Sequence, residues 1–134
     1  MIKLAADISN LHKFMRYIVD RLTEIGVTGD AVGEIELAAE EVMVNVFNYG
    51  YPGEKGDVEV GVTEKDGQLF IKVIDQGTEF DMTKAAAPDV NAPIEERPIG
   101  GLGIYLAKQL MDEVTYQRVG DTNVLTLIKK IKGE

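Results

Sequence analysis

The chain contains no cysteine among its 134 residues, and it has only one histidine and one serine. The absence of cysteine excludes disulfide bonds, thiol catalysis and the cysteine-based zinc and iron–sulfur sites. The single histidine and serine, His12 and Ser9, lie three positions apart near the N-terminus, which disfavours a Ser-His-Asp triad and a multi-histidine metal site. Any chemistry performed by this chain must therefore use carboxylates, amides, lysines and backbone groups.

Basic residues are scarce, with 14 Lys and Arg against 23 Asp and Glu, so the formal net charge is −9. Because an acidic chain lacks the basic field that displaces counterions from a phosphate backbone, we expect no direct nucleic-acid binding. No apolar run approaches the ~18 residues of a membrane span, and the N-terminus has no signal-peptide core. We therefore expect a single cytoplasmic domain over residues 1–134 that does not contact a membrane.

The pattern of apolar residues predicts an α+β domain. In chain order the predicted elements are an extended segment (1–9), helices over about 10–25 and 30–48, a strand through Val58, Val60 and Val62, a strand over 68–75, a helix over about 102–111, and strands over 113–119 and 123–131. Ser9 is a fair N-cap for the first helix, and Asp66-Gly67 is a strong hairpin turn. Three helices and a mostly antiparallel sheet form a two-layer architecture.

One stretch, residues 77–100, does not fit this scheme, because it contains three prolines and an Ala-Ala-Ala run without periodicity. Structureless inserts of this length are uncommon in compact domains and are usually functional lids or disordered segments. Since this insert lies between two glycine clusters, the lid interpretation is favoured.

The second predicted helix carries a polar stripe in an otherwise apolar segment. Glu41, Asn45 and Asn48 are spaced at i, i+4 and i+7, so they share one helical face. Burying a carboxylate and two amides without partners costs several kcal/mol, so the stripe must face internal partners or a cleft. Taken alone, a structural hydrogen-bond network or a solvated groove is the more common explanation. The neighbouring Glu40 is expected to be an ordinary surface charge.

A second candidate is the carboxylate at the end of the strand over 68–75. Asp75 follows a run that alternates as a buried strand, and Gly77 comes two residues later. A carboxylate there can accept hydrogen bonds from an exocyclic amino group, and a glycine without Cβ lets a flat ring approach. Alternatively, the residues 75–77 simply turn the chain, which is the better explanation when the motif is taken alone.

The third candidate is a glycine cluster that leads into the last predicted helix. Gly100, Gly101, Leu102 and Gly103 place free backbone N–H groups at a helix N-terminus, where phosphates bind readily. The cluster is neither a Walker motif nor a Rossmann fingerprint, because Leu106 stands at the last position and no strand precedes it. Hinges of a lid have the same composition, so this signal is weak on its own.

The order and spacing of these motifs resemble the GHKL ATPase family, which includes gyrase, Hsp90, histidine kinases and MutL. The matching motifs are Glu41-x-x-x-Asn45, Asp75-x-Gly77-x-x-Phe80-Asp81, the lid-like insert and Gly101-x-Gly103. Within the family, the chain is most similar to the small anti-sigma-factor serine kinases of the RsbW/SpoIIAB type. The resemblance covers nearly the whole chain and implies the Bergerat fold, a sheet over three helices with an ATP lid at 77–100.

The resemblance also implies a role for each candidate residue. Glu41 resembles the catalytic base, and Asn45 resembles the residue that ligates Mg²⁺ between the ATP phosphates. The other ATP-binding positions are Asn48 near the phosphates, Asp75 on the adenine amino group, Gly77 against the ring, and Gly101, Leu102 and Gly103 in the phosphate-facing turn. One molecule of ATP or ADP with Mg²⁺ therefore accounts for all three motifs.

The function implied is that of a protein serine/threonine kinase. Its substrate is expected to be an anti-sigma-factor antagonist of the STAS class, with a sigma factor as a further partner and a homodimer as the assembly. An ATP-dependent binding module with little or no kinase activity remains the alternative, because Tyr49 stands where many of these kinases have histidine and Glu79 where a second glycine is common. A histidine-kinase catalytic domain acting on another chain is a third hypothesis.

Overall fold

The computed structural model describes residues 1–49, 51, 56–84 and 101–131, and of residues 49 and 101–103 it describes the backbone alone. Within these residues the chain forms five strands and three α-helices. They are β1 (Ile2–Ala5), α1 (Leu11–Ile25), α2 (Asp30–Tyr49), β2 (Asp57–Lys65), β3 (Gln68–Asp75), α3 (Gly101–Leu110), β4 (Glu113–Val119) and β5 (Thr122–Lys130). Residues 85–100, most of the predicted lid, lie outside the described residues. None of the helices in the described ranges is long and apolar enough to cross a membrane.

The five strands form one sheet in the order β1-β2-β3-β5-β4, and each neighbouring pair is antiparallel. The predicted hairpin joins β2 to β3, and its two turn residues, Asp66 and Gly67, have φ values of 54° and 80°. Two consecutive positive φ values are typical of the tight hairpin turn that Asp-Gly favours. The predicted α+β sandwich with its antiparallel sheet is thus confirmed.

The hydrophobic core lies between the inner face of the sheet and the three helices. Alternate residues of β2 and β3 are buried on this face, as expected for strands with one covered side. The buried core residues include Val58, Val60, Val62, Leu69, Ile71 and Val73 from the strands and Phe14, Ile18, Leu22, Ile35, Val42, Met43, Ile104 and Ala107 from the helices. The inward row of β3 ends in Asp75, and that of β5 begins with Asn123, so two polar side chains border the core at one end of the sheet.

The start of α1 differs from the prediction, because Ser9 is not its N-cap. The Asp7 carboxylate instead accepts the backbone N–H of Ser9 at 2.9 Å, which begins a short 3-10 turn over Ile8–Asn10. The cap residue of α1 is Asn10, which makes no side-chain capping bond. The helix ends as predicted at Gly26, whose φ of 96° suits a residue without Cβ.

Lys129 of β5 holds α2 and α3 together at one end of the sheet. Its ammonium group donates to the carbonyl of Leu110, the last residue of α3, at 2.7 Å. It also lies 3.3 Å from the carboxylate of Glu34, near the start of α2. The N–H of Asp112 donates to the carbonyl of Ile128 at 2.9 Å, which fastens the end of α3 to the same part of β5.

Tyr51 makes the corresponding connection at the opposite end of the sheet. Its hydroxyl donates to the carbonyl of Asp57 and accepts the N–H of Gln76, both at 2.8 Å. The chain just after α2 is therefore tied to the start of β2 and the end of β3. Hence α2 runs from the Lys129 end of the sheet to the Asp75 end, and α3 runs in the reverse direction.

Replacing Lys129 with methionine is expected to lower the free energy of unfolding by ~1–2 kcal/mol, because it removes a charged hydrogen bond and a half-exposed ion pair while keeping an apolar stem. Urea denaturation measures the change. Lys130→Met, which alters an exposed side chain of the same strand, is the matched control. Equal unfolding midpoints for the two variants would contradict the role assigned to Lys129.

Candidate functional site

Asn45 is the buried centre of the polar stripe on α2. It is 3% exposed, whereas Glu41 is half-buried and Asn48 is exposed. Its side-chain nitrogen donates to the carbonyl of Glu41 at 2.9 Å. Because a carbonyl accepts only from the amide nitrogen, this bond fixes the orientation of the amide and turns Oδ1 away from the Glu41 carbonyl. Among the described residues, none makes a hydrogen bond to this Oδ1.

The donor set at Asn45 fits a magnesium ion bound together with phosphates. Mg²⁺ prefers hard oxygen ligands and usually keeps several waters, with one or two protein groups and substrate phosphates completing its coordination. The Asn45 Oδ1 atom is a hard oxygen of this type. In the ranges that the structure describes, no three histidine or acidic side chains form a metal cage, and a magnesium site of this kind does not need one.

Asp75 is 6% exposed at the end of β3. Its Oδ1 atom accepts two hydrogen bonds, from the N–H of Gly77 at 2.8 Å and from the side-chain nitrogen of Asn123 at 2.9 Å. The bond from Gly77 belongs to the local turn, so the turn interpretation of this motif is partly correct. The Oδ2 atom makes no hydrogen bond to the described residues and remains available to a ligand.

The backbone that follows Asp75 is held by side chains from distant parts of the chain. The N–H of Gln76 donates to the Tyr51 hydroxyl at 2.8 Å, and the carbonyl of Gly77 accepts from the Arg118 guanidinium at 2.9 Å. Burial raises the pKa of Tyr51, which keeps its hydroxyl protonated and able to donate to Asp57. Gly77 is therefore held in a defined, half-buried position beside the Asp75 carboxylate.

The sequence did not predict that Tyr51, Arg118 and Asn123 hold the segment from Asp75 to Gly77 by hydrogen bonds. The position of Asn123 was predictable, because it precedes Leu125 by two residues and therefore lies on the inward face of β5. The same alternation of inward and outward residues indicated that Asp75 lies on the inward face of β3. For Arg118 no local pattern predicts a bond to a carbonyl 41 positions away.

The helix α3 begins at Gly101, one residue earlier than predicted. The first backbone N–H groups of a helix have no partners within the helix and attract anions. Gly101, Leu102 and Gly103 form this first turn, whereas Gly100 lies outside the described residues. Since α3 runs from the Asp75 end to the Lys129 end, its N-terminus lies toward the Asp75 end of the sheet.

The structure thus brings the three candidate motifs toward one end of the domain. The C-terminal part of α2 carries Asn45 and Asn48 to the Asp75 end, and Glu41 lies one turn before Asn45 on the same face. The antiparallel arrangement of α2 and α3, held by Lys129, places the start of α3 beside the end of α2. This region is called the inner site below.

A concave region lies mainly on the face of the sheet opposite the α-helices. It is a cavity of about 540 Å³, and its lining includes Lys3, Glu59, Ile74, Gln76 and Thr122. The strand residues named in this lining point away from the helices, because the residues next to them in each strand face the core. Asp75 and Tyr51 also line the cavity, whereas Asn45 does not.

Comparison with known proteins gives one family match. The family model described as "Histidine kinase-like ATPase domain" matches residues 4–129. Among curated proteins, the chain is 32% identical over 120 residues to the serine-protein kinase RsbW of Bacillus cereus strain AH187. It is 30% identical over 120 residues to that of Bacillus cereus strain ATCC 10987 / NRS 248. Each alignment covers 82% of this chain and 74% of the relative.

Solved structures share the fold at lower sequence identity. The chain is similar to the structure of the RsbU and RsbW domains of Rv1364c from Mycobacterium tuberculosis, with a TM-score of 0.62 and 19% identity. That match covers 98% of this chain and 33% of the other, so the chain spans about a third of that longer protein. The histidine kinase AdeS of Acinetobacter baumannii is similar with a TM-score of 0.57 and 14% identity, covering 99% of this chain and 69% of that one.

Proposed function

Because this chain belongs to the histidine kinase-like ATPase family, we propose that it is a protein serine/threonine kinase that phosphorylates an anti-sigma-factor antagonist of the STAS class. The family and the kinase class that the motifs predicted are confirmed by the family match and by relatives named serine-protein kinases. The substrate, the partners and the role of each residue are the proposal.

The observation that supports the proposal most strongly is the convergence of Asp75, Asn45 and the start of α3 at the inner site. In the proposal, Asp75 accepts the amino group of adenine through Oδ2, and the half-buried Gly77 allows the ring to lie against the backbone. The N–H groups of the first turn of α3, Gly101 to Gly103, bind the phosphates.

Asn45 is proposed as the protein ligand of Mg²⁺ through its Oδ1 atom, and the exposed Asn48, one turn later, as a phosphate contact. When bound, the metal neutralises the charge of the phosphates and helps to align the terminal one. The buried position of Asn45 and its bond to the Glu41 carbonyl hold the amide oxygen in place. Pre-set geometry of this kind reduces the reorganisation that binding requires.

Glu41 is proposed as the catalytic base. It is half-buried one turn before Asn45, so its carboxylate lies on the face where the terminal phosphate would be. A carboxylate at this position can accept the proton of an incoming serine hydroxyl. No nucleophile of this chain is needed, which agrees with its lack of cysteine and with a single serine located before α1.

The proposed cellular role is partner switching in the cytoplasm. In this proposal, residues 1–134 form one ATPase domain with a lid at 77–100, the chain forms a homodimer, and it sequesters a sigma factor when the antagonist is absent or phosphorylated. The net charge of −9 favours partners that dock through basic residues.

The test is incubation of the purified chain with γ-labelled ATP, Mg²⁺ and a STAS protein encoded near it. The proposal expects label on a serine of that protein. A stable complex without transfer would favour the ATP-dependent binding module. Label on a histidine of a partner would favour the histidine-kinase hypothesis, and either result contradicts the serine kinase.

Replacing Asn45 with alanine is expected to weaken ATP binding about tenfold or more in the presence of Mg²⁺ and to change it little when the metal is chelated. The physical reason is the loss of the Oδ1 ligand. Titration calorimetry with and without Mg²⁺ measures the difference. Gln109→Ala, which removes an exposed amide from α3, is the control. Equal affinities of Asn45→Ala and wild type under both conditions would exclude the metal role.

A further inference from the structure

Asn123 is a buried polar residue to which the roles proposed above assign nothing. It lies in β5 directly opposite Asp75 of β3. Both side chains are 6% exposed. Buried amides in folded proteins satisfy their hydrogen-bonding groups, so the partners of Asn123 show what it holds in place.

The Asn123 side chain uses its complete hydrogen-bonding capacity. Its nitrogen donates to Oδ1 of Asp75 and to the carbonyl of Thr78, both at 2.9 Å. Its oxygen accepts from the Tyr116 hydroxyl and, at 3.1 Å, from the Arg118 guanidinium. A flipped amide would set its nitrogen against two donors and its oxygen against two acceptors. Only one orientation of this side chain therefore satisfies its surroundings.

The position of the Asp75 carboxylate depends on this amide. A terminal carboxylate rotates broadly about its last bond, and a single hydrogen bond from the Gly77 N–H leaves much of that rotation free. The second donor, from Asn123, reaches the same Oδ1 from the neighbouring strand and fixes the plane of the group. As a result, Oδ2 is the Asp75 oxygen that both donors leave without a hydrogen bond.

We propose that Asn123 is a positioning residue that sets the nucleobase preference of the site, favouring bases with an exocyclic amino group over bases with a carbonyl at that place. By occupying Oδ1, it leaves Oδ2 of Asp75 as the one fixed acceptor that meets the base. A carboxylate oxygen attracts an amino N–H and repels a carbonyl oxygen. This inference rests on the proposed function, in which Asp75 binds adenine.

The side chains behind Asn123 keep this arrangement in place. Arg118 also donates to the carbonyl of Gly77 at 2.9 Å, so one guanidinium supports both the amide and the backbone next to Asp75. Burial raises the pKa of Tyr116, which keeps its hydroxyl protonated as a donor to the amide oxygen. Tyr116 and Arg118 thus hold the oxygen of the Asn123 amide, while its nitrogen donates to Asp75.

The experiment compares the binding of ATP and inosine triphosphate, which carry an amino group and a carbonyl, respectively, at the same ring position. The variant Asn123→Leu has nearly the same volume and no charge, and it cannot donate to Asp75 or Thr78. Gln117→Leu removes an amide at an exposed position of β4 and is the control. Affinities of the full chain are measured by calorimetry with Mg²⁺ present.

Wild type and Gln117→Leu are expected to prefer ATP, and Asn123→Leu is expected to reduce the ratio of the two affinities about tenfold. A merely structural role would lower both affinities equally. An unchanged ratio in a folded variant therefore overturns the inference. If Asn123→Leu does not fold, Tyr116→Phe takes its place, because it removes one donor to the amide without touching Asp75. The ratio of affinities of this variant is expected to fall about twofold to threefold.

These outcomes separate the inference from the proposal on which it rests. If wild type binds neither nucleotide, the proposed ATP site is contradicted and the inference with it. If wild type prefers ATP and the Asn123 and Tyr116 variants retain the full preference, the ATP site stands and Asn123 has no role in selectivity.

Discussion

Replacing Glu41 with glutamine is expected to lower the rate of phosphoryl transfer by roughly 10²–10⁴-fold, the usual contribution of a general base. Binding of ATP is expected to remain intact or to become slightly tighter, because a carboxylate next to phosphates is repelled by them. Binding of the proposed STAS antagonist is also expected to persist. The variant would then form a stable complex with ATP and antagonist that no longer turns over.

Single-turnover transfer of labelled phosphate measures this effect, with nucleotide affinity determined separately. Glu40→Gln is the matched control, because Glu40 is the adjacent carboxylate and is exposed on another face of α2. If Glu41→Gln transfers phosphate at the wild-type rate, Glu41 is not the base. If it loses thermal stability and Glu40→Gln does not, the carboxylate has a structural role.

Replacing Asp75 with asparagine is expected to weaken ATP binding roughly tenfold to a hundredfold, because the charge-assisted bond to the base is lost. The hydrogen-bond donors around residue 75 fix the orientation of the new amide. The Gly77 N–H and the Asn123 amide both donate toward the same position, so they select the oxygen of the new amide and turn its nitrogen toward the ligand. A donor then faces the amino group of adenine.

The same geometry predicts that Asp75→Asn gains relative affinity for inosine triphosphate, whose carbonyl accepts from the new amide nitrogen. Competition binding with the two nucleotides measures the change. Asp20→Asn on the exposed side of α1 is the control for the loss of one negative charge. If Asp75→Asn binds ATP as tightly as wild type and with the same preference, Asp75 only turns the chain.

The helices and strands were predictable because their patterns are local. The alternation of Val58, Val60 and Val62 shows a strand with one buried face, and Asp66-Gly67 supplies the positive φ values that a tight hairpin needs. The boundaries shifted by about one residue where capping decides them. At α1, the Asp7 carboxylate accepts the Ser9 N–H and begins a short 3-10 turn, so the helix begins after Asn10 and not after Ser9.

The candidate residues of the inner site were also found from local spacing, since Asn45 and Asp75 are polar residues in otherwise buried rows. The side chains that hold Asp75 and Gly77 were not predicted, because they are far away in the chain. Asn123 is 48 positions from Asp75, and Arg118 is 41 positions from Gly77. Such pairs depend on the order of the strands, which a single sequence does not encode in any local pattern.

The direction of the helices likewise became clear only from long-range contacts. The spacing of Glu41 and Asn45 predicts a shared face, but it does not show toward which end of the sheet that face leads. The contacts of Lys129 with Glu34 and with the Leu110 carbonyl show the direction of both helices. They fix α2 and α3 as antiparallel neighbours, and only then do the motifs of α2 and α3 fall at the Asp75 end.

A crystal structure of this chain with Mg²⁺ and a non-hydrolysable ATP analogue tests the inner site most directly. The adenine amino group is expected to lie within hydrogen-bonding distance of Oδ2 of Asp75, Mg²⁺ to contact Oδ1 of Asn45, and the phosphates to contact the first turn of α3. A nucleotide bound instead in the outer cavity, against Lys3 and Glu59, would contradict the assignment of the inner site.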